Sequence, residues 1–70
     1  MDSISGVGVV DKVIAVLRAL ETNGALSLIE LQDATGMPRA TAHRLASALD
    51  DHGLVRRETN GKFALGMGLV

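Results

Sequence analysis

Apolar side chains recur at Val10, Val13, Ile14, Leu17 and Leu20. Steps of three and four residues place them on one face of a helix. The spacing predicts a first helix from Val9 to Glu21, stopped by Asn23-Gly24, with Lys12, Arg18 and Glu21 elsewhere on the wheel. Ser27-Leu28-Ile29-Glu30 then reads as a capping box, in which serine and glutamate side chains each bond the other residue's backbone N–H. It predicts a second helix from Leu28 to Thr35, with Leu28, Leu31 and Ala34 facing inward and Gly36 left-handed past its end. Met37-Pro38 opens a third helix, where proline suits a first turn because its missing N–H is no loss. This helix should run to about Asp51 and end at Gly53, burying Pro38, Ala42, Leu45 and Leu49 with Ala46 beside them. Only Gly36, Met37 and at most Pro38 separate the second and third helices, so the two must cross steeply.

The remaining pattern alternates like a hairpin with Asn60-Gly61 at its tip. A two-residue loop would pair Glu58 with Phe63 and Arg56 with Leu65, mixing charge into the apolar face. A three-residue loop, Thr59 to Gly61, pairs Val55 with Leu65, Arg57 with Phe63 and Glu58 with Lys62. Val55, Phe63 and Leu65 then face the core together, and Gly61 takes the left-handed conformation. The elements sum to a mainly α fold with a small β-hairpin: a winged helix-turn-helix of three helices plus a wing.

Composition narrows the chemistry. Seventy residues allow one domain. Cysteine, tryptophan and tyrosine are absent and Phe63 is the only aromatic residue, so the core must be aliphatic. No apolar run approaches the roughly 18 residues of a membrane span, and the N-terminus lacks the basic start and apolar stretch of a signal peptide. The expectation is a soluble, cytoplasmic protein. Residues 1–8, with Gly6 and Gly8, read as a flexible arm, 9–66 as the domain, and 67–70 as the start of a linker.

The net charge of −1 conceals an asymmetry. Residues 1–38 hold Lys12 and Arg18 against Asp2, Asp11, Glu21, Glu30 and Asp33, a net of −3. Residues 39–62 hold Arg39, Arg44, Arg56, Arg57 and Lys62 against Asp50, Asp51 and Glu58, a net of +2. A steering field depends on where charge sits as well as on its sum. Opposite its apolar stripe the third helix carries Arg39, Ala40, His43, Arg44 and Ser47, with Thr41 at the boundary. Guanidinium, imidazole and hydroxyl groups around a small residue suit a helix reading base edges in a major groove. Such a face is by itself more often merely solvated; the capped second helix, the short joint and the basic wing raise the DNA reading above that. The set assigned to double-stranded DNA is Ser27, Arg39, Ala40, Thr41, His43, Arg44, Ser47, Arg56, Arg57, Asn60, Gly61 and Lys62.

Enzyme chemistry finds no support. His43 and His52 are nine residues apart with no cysteine or aimed acidic cluster, so a metal site is not expected. Asp50 and Asp51 are adjacent on a helix and do not converge for acid–base work. Gly6-x-Gly8 lacks the preceding strand of a phosphate loop. No cofactor is implied.

Gly36-Met37-Pro38-Arg39-Ala40-Thr41-Ala42-His43-Arg44-Leu45, then Leu49, Gly53-Leu54-Val55-Arg56-Arg57 and Phe63-Ala64-Leu65-Gly66, resemble the IclR family of bacterial regulators. The likeness covers about residues 9–70. It implies an N-terminal winged helix-turn-helix joined by a linker helix to an effector-binding domain. It also implies dimers or tetramers that repress or activate transcription, with effector ligand only on that C-terminal domain, outside these residues. Ala40 stands where the family often has serine. Gly6-Val7-Gly8-Val9-Val10-Asp11-Lys12 further resembles an actinobacterial subgroup linked to amino-acid metabolism. The alternative is a winged helix used for protein docking, or for dimerisation through the first helix, without DNA contact.

Overall fold

The capping box forms as its residue types dictate. In the computed structural model, which describes residues 2–66, the Ser27 Oγ accepts from the Glu30 N–H at 3.2 Å and the Glu30 carboxylate accepts from the Ser27 N–H at 2.8 Å. These two bonds start α2 (Leu28–Thr35), and Gly36 ends it at φ 75°. Ahead of it lies α1 (Asp2–Asn23); behind it come α3 (Arg39–Asp51), β1 (Val55–Arg57) and β2 (Phe63–Leu65). The architecture is three helices and a two-stranded antiparallel hairpin.

Two helix starts differ from the sequence expectation. The first helix begins at Asp2 rather than Val9, so residues 2–8 of the segment expected as an arm are helical backbone. Glycine inside a helix costs about 1 kcal/mol relative to alanine, which weakens a helix without breaking it; Gly6 and Gly8 therefore do not stop α1. The third helix begins one residue later than expected. Pro38 has ψ 153°, an extended value that keeps it outside the helix; its side chain is exposed, and the flanking Met37 is buried instead. Thr35 fixes this joint: its hydroxyl donates to the Leu31 carbonyl at 2.7 Å and accepts from the Met37 N–H at 3.3 Å. Residues 67–70, expected as a linker start, lie outside the described residues.

The core gathers Val16 and Leu20 of α1, Leu31 of α2, Ala42, Ala46 and Leu49 of α3, and Val55 and Phe63 of the hairpin. The face that α1 buries is rotated from the expected one. Val16, Ala19 and Leu20 are buried, whereas Val10 and Ile14 remain 58% and 40% exposed. Ala34, expected inward on α2, is exposed. Among the described residues no helix is long and apolar enough to cross a membrane.

The hairpin takes the three-residue loop. Val55 pairs with Leu65, Arg56 with Ala64 and Arg57 with Phe63. Glu58 N–H donates to Lys62 O at 2.7 Å, Gly61 N–H to Glu58 O at 2.8 Å, and Gly61 sits at φ 86°. On its other edge β2 meets the loop before α2: Leu26 N–H donates to Phe63 O at 2.9 Å and Phe63 N–H to Leu26 O at 2.7 Å. Leu26 thus supplies a one-residue third strand that the sequence pattern does not reveal. Gly66 closes the hairpin against the turn after α3, where an added Cβ would meet Gly53 O at 3.0 Å and Val55 C at 3.1 Å.

Candidate nucleic-acid interface

With Ala42, Ala46 and Leu49 inward, helical geometry turns Arg39, Ala40, His43 and Arg44 fully outward. Thr41 and Ser47 are half-buried and flank that face. Among the described residues neither Arg39 nor Arg44 lies within salt-bridge distance of a carboxylate. Both guanidinium groups keep their five N–H donors for an external acceptor. Leu28, Arg39, Ala40 and His43 line an open groove of about 480 Å³. The start of α2 therefore borders the outer face of α3, with Ser27 one residue before Leu28. The Ser27 oxygen is used as the cap acceptor, and its hydroxyl proton remains a donor.

The wing presents its charges differently. Arg56 Nη2 lies 3.4 Å from Glu58 Oε2. The Arg57 guanidinium lies over the Phe63 ring, 5.0 Å from its centroid, as their direct pairing across the strands allows. Lys62 Nζ lies 3.8 Å from Glu30 Oε1 on α2. Asn60 Oδ1 accepts from the Lys62 N–H at 3.0 Å, so its carbonyl holds the turn and its NH₂ is left to donate outward. The backbone opposition of Glu58 and Lys62 forms as expected, but their side chains take other partners. A shallow depression of about 460 Å³ runs along Arg56 to Asn60.

Sequence reasoning brings together the outer face of α3 and, separately, the wing. It misses Leu28 as a groove wall, Phe63 as the platform for Arg57, and Glu30 as the partner of Lys62. The first two follow from helix crossing and strand register once those are known. The third pairs positions far apart in the chain, and no local pattern announces it. Among the described residues there is no cluster of three or more histidine, aspartate or glutamate side chains able to hold a metal ion.

The fold has counterparts among known proteins. The IclR helix-turn-helix domain family matches residues 9–59. The HTH-type transcriptional regulator KipR of Bacillus subtilis is 36% identical over 56 residues, which are 80% of this chain and 22% of KipR. An HTH-type transcriptional regulator of Mycobacterium tuberculosis is 38% identical over 63 residues, 87% of this chain and 24% of that protein. The crystal structure of an IclR-family protein from Rhodococcus sp. superposes with a TM-score of 0.83 at 28% identity, covering 91% of this chain and 26% of that one. The chain thus spans about a quarter of the length of the relatives it matches.

Proposed function

The chain belongs to the IclR helix-turn-helix family, and from that premise we propose that it is the part of a transcription regulator that reads double-stranded DNA. The observation that carries the reading is the outer face of α3. Arg39, Ala40, His43 and Arg44 stand exposed beside the start of α2, with two arginines that no described carboxylate neutralises. Thr41, Ser47 and Ser27 flank that face and donate to phosphate, while Arg56, Asn60, Gly61 and Lys62 bring the wing against the backbone. Arg57 belongs to the wing's fold as much as to the interface, because its guanidinium rests on Phe63.

The same reading places the protein in the cytoplasm, as a homodimer on an operator, with effector control from a domain elsewhere in the full regulator and no catalytic role. Duplex binding measured from about 50 to 200 mM salt tests it. If a handful of cations meet phosphates, log affinity falls by about 0.9 per contact for each log unit of salt. Binding indifferent to salt, or no binding, rules it out.

A further inference from the structure

One carboxylate oxygen on α2 serves two parts of the fold. Glu30 Oε1 accepts from the Ser27 N–H at 2.8 Å and lies 3.8 Å from Lys62 Nζ. The first contact caps α2; the second reaches the tip of the wing. We infer that Glu30 is a positioning residue for the wing, which docks the Lys62 ammonium on the start of α2 and withholds its charge from DNA. This inference rests on the DNA reading above.

Two effects of Glu30 oppose each other, and their sizes decide the sign. Holding Lys62 in one place saves part of the cost of ordering a long side chain on binding. Both side chains are roughly half exposed, 41% for Lys62 and 49% for Glu30, and exposed pairs order side chains weakly. Against this, the carboxylate places a fixed negative charge within a few ångströms of the cation meant to meet a phosphate. That is well inside the roughly 8–10 Å over which salt screens charge, so the repulsive effect wins. The carboxylate is held below its ordinary value of 4.5, first by the Ser27 backbone N–H and then by the Lys62 charge, so it stays ionised at neutral pH. Arg39 and Arg44 on α3 carry no such restraint. The helix face therefore engages DNA at full charge while the wing engages at reduced charge.

The test uses Glu30→Gln, which keeps an oxygen for the Ser27 N–H and so preserves the capping box. Lys62→Ala, the double variant, and Asp33→Asn as a like charge change further along α2 complete the set. A labelled random-sequence duplex is titrated with each protein across a salt series, and melting temperatures check the fold. Glu30→Gln should bind about two- to fivefold more tightly at low salt, the factor that matches an exposed ion pair. It should also show a steeper salt slope, while Asp33→Asn gains less and the Glu30→Gln gain largely disappears when Lys62 is already alanine. An equal gain in both backgrounds, or weaker binding at an unchanged melting temperature, overturns the inference. NMR titration of the Glu30 carboxyl gives a readout without DNA: it should rise toward 4.5 in Lys62→Ala. No rise means that the pair does not form and the inference fails, whatever the DNA result. A rise together with no duplex binding by any variant leaves the pair standing but removes the charge-withholding role along with the DNA reading.

Discussion

Arg44 and Arg57 are both exposed arginines, yet their surroundings give them different work. Arg44 projects from the outer face of α3 with no described carboxylate in reach. Its planar fork matches the two major-groove acceptors of guanine. Arg44→Ala should therefore cost about 1–3 kcal/mol of operator binding and relax preference at one base pair. Affinities for an operator and its single-base variants check this; uniform weakening at every site would make Arg44 a phosphate clamp. Arg57 instead spends its guanidinium on the face of Phe63 at 5.0 Å. Loss of a solvent-exposed cation from a ring face costs about 0.5–1 kcal/mol. Arg57→Ala should lower the melting temperature and leave base preference intact. Lys62 carries a point charge without a fork, so its loss should weaken all sequences alike.

Among the elements, the wing is the one whose geometry depends most on single backbone positions. Gly61 sits at φ 86° with open space around it, so a side chain there meets strain and no clash. Gly61→Val should destabilise the wing by about 1 kcal/mol or more, loosening DNA contact while circular dichroism shows the helices unchanged. Gly66 presents the reverse case. Its backbone is unremarkable, but an added Cβ would press on Gly53 O and Val55 C at 3.0 and 3.1 Å. Gly66→Ala should cost about 1–3 kcal/mol through overpacking, visible as a lower denaturation midpoint. These elements also show what the sequence discloses. The α2 boundaries and the hairpin register are legible because each rests on partners within a few residues: Ser27 with Glu30, and Arg57 with Phe63 across a short loop. The buried face of α1 is not legible, because Val10 and Ile14 continue the apolar spacing past the end of the core. The contacts of Leu26 with Phe63 and of Glu30 with Lys62 are tertiary, and only the crossing of the helices creates them. Among the proposed contacts the α3 face was legible from periodicity alone, whereas the partners of the wing cations were not.

For the whole molecule, the shifted carboxylate of Glu30 sets a pH dependence. Glu30 is held below its ordinary value of 4.5 by the Ser27 N–H and by Lys62. Its ionised form is thus favoured by folding. The stability it contributes is fully present above about that value and is lost as pH falls through the lower folded value. A melting curve taken from neutral to acid pH should show this loss, and Glu30→Gln should flatten it; equal acid slopes for the two proteins would contradict the assignment. The Leu26–Phe63 pairing acts at the same scale. Its two backbone bonds close a loop that contains all of α2 and α3. Closing so long a loop costs entropy that only the packed helices offset. The amides of Leu26 and Phe63, bonded across that loop, should therefore exchange with solvent only when the packed helices separate, while β1, paired on one edge alone, should exchange by local fraying. In a chain with neither tryptophan nor tyrosine, deuterium uptake at Leu26 should then serve as the built-in clock for global opening.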